Sequence, residues 1–133
     1  MATATISSVV QYWLPLLTMV TLLAYISLLA PVMPAAPQAR WSANIRFVDL
    51  IEHVLGYGLL AILVFRVLQF HVSTIIPLQL ALLSMLIATS YGALLEINQW
   101  FVPGRFFSVI DIGANFLGSI ASITFQQATS RKR

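Results

Sequence analysis

The sequence has no cysteine and very little charge. Without cysteine there are no disulfides, no thiolate nucleophile and no Cys-ligated metal, and the redox compartment is left unindicated. Charged residues make up 8% of the 133 positions, against about 25% in a soluble domain. Water therefore cannot be the main solvent of this surface. There is one lysine, and the four acidic residues are Asp49, Glu52, Glu96 and Asp111. No Gly-x-Ser-x-Gly elbow, phosphate loop or His-Glu-x-x-His pair is present. No catalytic residue and no cofactor is assigned.

What is abundant is apolar: 59% of residues are hydrophobic and the mean hydropathy is +0.91. The net charge of +3 does not indicate nucleic acid, because three of the seven basic residues are Arg131, Lys132 and Arg133 and the others stand singly, with no polar face to carry them. Such a tail after an apolar helix reads as a cytoplasmic anchor. Residues 1–11 hold no Lys or Arg, and the apolar run that follows is too long for a signal peptide, so it reads as a retained first span.

Four spans are predicted, making an all-α integral membrane bundle with a single domain over residues 1–133. The first covers 12–29, with Tyr12 and Trp13 as interface aromatics and Pro15 in its first turns. Pro31, Pro34 and Pro37 end it, and a link over 30–46 carries Arg40, Trp41 and Arg46. The second covers 47–68. Its uncharged stretch, 54–65, is only 12 residues, whereas a span takes about 20, so the turn with Asp49, Glu52 and His53 must be drawn toward the membrane. The third covers 76–99, and the fourth 109–126 after an aromatic-flanked Pro103-Gly104 turn. Ser108 and Asp111 have the spacing of a helix-start capping pair. Ala114, Gly118 and Ser122 form a small-residue stripe suited to close packing in lipid. An even number of spans with the basic tail inside gives N-in/C-in, and Arg66 falls on the same side as the tail.

This topology collects the polar residues at the other face. Asp49, His53 and Tyr57 step by four along one stripe, Glu96 and Gln99 close the third span, Arg105 sits in the turn, and Asp111 and Asn115 open the fourth. Ionisable groups inside a span are costly and normally face the bundle interior or a watery cavity, so three polar stripes should converge, with Arg105 above them. Two readings stand for this set: an interhelical polar clamp, or a binding site. Asp111 alone reads as a helix-start residue, Asn115 and Gln99 as ties between helices, and Tyr57 as core. Arg105 fits either a ligand phosphate or carboxylate, or an ion pair with Glu96 or Asp111. One His and several carboxylates are compatible with a metal, but no close-spaced ligand motif supports one, and none is assigned. His71 stands alone between the second and third spans and reads as having no chemistry.

Two blocks carry a family resemblance: Asp49-Leu50-Ile51-Glu52-His53-Val54-Leu55-Gly56-Tyr57, and Tyr91 through Glu96, Gln99, Pro103, Gly104 and Arg105 to Ser108, Asp111, Asn115 and Gly118. Over about 49–123 the chain resembles the VanZ-like family of small bacterial membrane proteins. It departs from the family pattern at Leu50, where Lys is usual, and at Leu95, where an acidic residue often precedes the Glu. The resemblance implies a bacterial inner-membrane protein of the cell envelope, in a family linked to glycopeptide (teicoplanin) resistance. Three functions follow as expectations. The first is a non-enzymatic envelope protein whose outer-face polar pocket binds a lipid headgroup or partner segment. The second, supported by the lack of a soluble domain, is an accessory subunit of a larger membrane complex. The third is an enzyme on a lipid-linked envelope substrate, with His53 working beside Glu96 or Asp111.

Overall fold

The computed structural model describes residues 6–29, 43–72 and 74–130. The proline-rich link with Pro31, Pro34, Pro37, Arg40 and Trp41, the side chain of Arg46, and the tail Arg131 to Arg133 lie outside the described residues. Four helices are long and apolar enough to cross a membrane: α1 (Ile6–Leu29), α2 (Ala43–His71), α3 (Pro77–Gln99) and α4 (Val109–Ser130). In hydrocarbon every backbone N–H and C=O must be satisfied within the segment, and a helix does this without a partner.

Helix α1 begins six residues before the predicted start at Tyr12, so Pro15 lies in its interior. Proline there removes a hydrogen bond and crowds the carbonyl four residues back. The chain accommodates this with a π-helical turn over Val9–Trp13, in which the Leu14 N–H reaches back to the Val9 carbonyl. A second π-helical turn, Tyr25–Leu29, closes the helix. Helix α2 has 29 residues and is about 43 Å long at 1.5 Å per residue, more than the ~30 Å hydrocarbon core. The turn with Asp49, Glu52 and His53 is therefore part of one continuous helix.

Helix α2 is the axis of the bundle. It packs most extensively on α4, then on α3, and only lightly on α1. Its Tyr57, Leu60, Ala61, Val64 and Phe65 join Leu80, Ala81 and Ala88 of α3 and Ile123 of α4 in the buried core, and Leu16, Met19, Val20 and Leu23 of α1 pack at the edge. Gly118 explains the close α2–α4 contact. A Cβ built there would run into the Val54 carbonyl, so the small-residue stripe lets two backbones touch. Helix α1 is peripheral: 6% of its most apolar stretch is buried in the molecule, against 33%, 39% and 28% for α2, α3 and α4.

Candidate functional site

The polar end of the bundle is built by the local structure that joins α3 to α4. After Gln99 the chain unwinds through Trp100 and Phe101 into a turn over Val102-Pro103-Gly104-Arg105, closed by the Arg105 N–H on the Val102 carbonyl at 3.0 Å. Proline sets φ at the first central position, and Gly104 takes φ 84° at the second, as a type II turn requires. Ser108 then starts α4: its Oγ accepts the Asp111 N–H at 3.2 Å. In a full capping box the side chain three residues on returns the favour to the Ser N–H. Here Glu96 of α3 does so instead, its Oε2 accepting the Ser108 N–H at 3.1 Å. That exchange locks α3 to α4 and leaves the Asp111 carboxylate to turn elsewhere.

It turns to His53. The His53 Nε2 lies 4.0 Å from Asp49 Oδ1, 3.8 Å from Glu96 Oε1 and 4.0 Å from Asp111 Oδ2. The opposite ring nitrogen, Nδ1, is 2.8 Å from the Asn115 Oδ1. Asn115 is fully buried, and this contact fixes the ring plane. The Tyr57 ring is stacked on the other side, 5.8 Å between centroids with planes 11° apart. One turn deeper, the Ser119 hydroxyl lies between the Asn115 carbonyl (2.8 Å) and the Tyr57 carbonyl (3.4 Å). Exposure falls steeply across the carboxylates, from 54% at Asp49 through 13% at Asp111 to 1% at Glu96, so the cluster has an open rim and a buried floor.

Six of the eight residues singled out from the sequence thus meet: Asp49, His53, Tyr57, Glu96, Asp111 and Asn115, drawn from three helices. The other two are not hydrogen-bonded to His53, although the Arg105 charge is near enough to act on Asp49. Gln99 is buried on the Glu96 face of α3 but makes no hydrogen bond to the group among the described residues. Arg105 donates from Nη2 to the Ile26 carbonyl at 2.6 Å, tying the turn to the end of α1. His53 faces the carboxylates of Asp49, Glu96 and Asp111 alike. Two cavities are lined by residues outside the cluster. One, of about 260 Å³, is an apolar cleft between Ile97, Trp100, Phe101 and Phe107 at the same end. The other, of about 410 Å³, lies at the far end between Phe65, Gln69, Pro77, Gln126 and their neighbours.

Sequence reasoning missed Ser108 as the bridge between α3 and α4, and Ser119 beneath Asn115. The Ser108–Asp111 spacing was the signal for the first, and the four-residue step from Asn115 for the second. Fold and site together define a multi-pass helical membrane protein with an ionisable cluster at one end of its bundle. Comparison of the chain with protein-family models, with curated proteins and with solved structures returns no match.

Proposed function

We propose that this is a VanZ-like protein of a bacterial cytoplasmic membrane, with both termini inside, that works by binding a lipid headgroup at the outer, polar end of its bundle. The observation that carries the reading is the His53 group. Three carboxylates and one imidazole sit at the end of membrane-spanning helices, where ionisable residues are expensive. The set is rich in carboxylates and opens onto the surface at Asp49, which favours a positive contact there. What it contacts is therefore positive: an ammonium group of the ligand, or a cation joining the carboxylates to a phosphate. The apolar cleft beside Trp100 and Phe107 supports a lipid, because acyl chain and headgroup then have adjoining places. Arg66, at the end opposite the cluster, and the basic tail that follows Ser130 in the sequence support the orientation. The link to glycopeptide resistance belongs to this reading through the resemblance alone.

A second reading, an accessory subunit of a larger membrane complex, is favoured by α1, in which Ser27 is the one buried residue among those described. Purification of the full chain in mild detergent, followed by native mass spectrometry, separates the two. The first expects a small particle retaining one class of headgroup, lost in Asp111→Asn and kept in Arg66→Gln. A particle that retains no lipid, or retains it equally in both variants, overturns it. Stoichiometric recovery of a large complex establishes the second.

A further inference from the structure

Three carboxylate oxygens from three helices, Asp49 Oδ1, Glu96 Oε1 and Asp111 Oδ2, face His53 Nε2 at distances of 3.8–4.0 Å. These are too long for hydrogen bonds. Glu96 is 1% exposed, uses its other oxygen on Ser108 and turns Oε1 toward His53. Nδ1 is taken up by Asn115, and Nε2 faces the three carboxylates. Protonating Nε2 supplies one N–H, and one donor cannot serve three acceptors at such distances.

A divalent cation resolves all of this. Two ligands held ~2.1 Å from one ion lie roughly 3.0–4.2 Å apart, depending on the angle between them. The facing atoms of Asp49, His53 and Asp111 all lie within 4.8 Å of one another, so rotation of the carboxylates brings them into range. The tie from Nδ1 to Asn115 is the kind of outer contact that fixes tautomer and ring orientation in metal-bound histidines. Spacing along the chain cannot reveal such a set, because its members come from α2 and α4.

We infer that His53, Asp49 and Asp111 bind one divalent metal ion at the polar end of the bundle, with the buried Glu96 carboxylate beside His53. Mixed imidazole and carboxylate ligands select an ion of the zinc–manganese class. The inference rests on reading the cluster as a binding site, and it names the positive charge that reading requires. The ion's open position faces the rim at Asp49, where a phosphate oxygen of the headgroup completes the coordination.

The test uses the full chain, purified in detergent and stripped with EDTA. Mn²⁺ binding is followed by electron paramagnetic resonance and Zn²⁺ binding by calorimetry. One ion per chain is expected. Asp49→Asn, at the exposed rim and therefore harmless to folding, weakens binding at least tenfold, and His53→Gln and Asp111→Asn weaken it at least a hundredfold. Arg66→Gln, at the opposite end, leaves it unchanged. Absence of saturable binding up to millimolar metal, or equal binding by wild type and Asp49→Asn, overturns the inference. Lipid retention measured after EDTA treatment separates it from the reading beneath it. Lipid held without metal binding removes the ion and keeps the headgroup site. Metal bound without lipid keeps the ion and removes the headgroup. On the Mn²⁺-loaded protein, a change in the spectrum with anionic lipid but not with inorganic phosphate identifies the lipid as the source of the phosphate oxygen.

Discussion

The two histidines of this chain sit at opposite ends of one helix, and their surroundings differ in every respect. His53 lies among three carboxylates, with its far nitrogen held by a buried asparagine. His71 accepts a 2.9 Å hydrogen bond from the Trp13 indole at Nε2 and meets the Phe70 ring edge-on at 4.9 Å. Beside it Tyr12 stacks on Phe70 at 4.6 Å, with the Arg66 guanidinium 5.8 Å from the Tyr12 ring centre. The far end is closed by aromatic pairs and a cation. Such contacts are individually modest and tolerate an interfacial setting. All four acidic side chains of the chain lie at the near end, and three of them face His53. A residue type alone therefore does not signal chemistry. What distinguishes His53 is the number of like-charged groups it gathers and the buried amide that orients it.

The contrast breaks most severely at Gly118. Gly118→Val places a branched side chain against the Val54 carbonyl, one residue from His53, and overpacking of this kind costs about 3 kcal/mol. A large fall in melting temperature in detergent is expected, together with loss of ligand binding at the near end. A melting temperature equal to wild type would show that α4 does not rest on α2 there.

Arg105 sharpens the comparison. Losing its charge-assisted bond to the Ile26 carbonyl costs about 1.5 kcal/mol, so Arg105→Ala should melt earlier by that amount. Because Glu96 is bound to Ser108, Glu96→Gln should not rescue it, and the double-mutant cycle should be additive. Strong coupling would make Arg105 a member of the His53 group and enlarge the near end by one turn.

The smallest effect belongs to the far end. His71→Phe keeps a ring beside Phe70 and removes one exposed hydrogen bond with Trp13, for about 1 kcal/mol or less. Metal and lipid binding should be unchanged. If either fell as it does in Asp111→Asn, the two ends would be coupled and the division between them would fail.

The number and placement of the spans were legible in the sequence, because length and apolarity are what a membrane demands. Their ends were less so. Helix α2 extends back to Ala43 through polar residues that no hydropathy pattern marks, and α4 runs on to Ser130, where the Thr124 and Thr129 hydroxyls bond back to carbonyls of their own helix. Helix α1 starts earlier than its interior proline suggests, because a π-helical turn absorbs it. In the site, four-residue steps placed Asp49, His53, Asp111 and Asn115 on the right faces. The choice of partners was not legible. Whether Glu96 takes Arg105 or the Ser108 N–H depends on how α3 and α4 are joined, and whether Arg105 reaches an acid or the Ile26 carbonyl depends on where α1 docks. Both are properties of the packed bundle.

The docking of α1 has a consequence for how the chain can change over generations. Two of its attachments, from the Tyr91 hydroxyl at 2.7 Å and from Arg105, end on the carbonyls of Val20 and Ile26, which belong to the main chain. A carbonyl is the same whatever side chain stands beside it. The residues that must be kept for these two ties are therefore the donors on α3 and in the turn, while positions 20 and 26 are free to drift among apolar residues. The first span can diverge in spelling and keep its place.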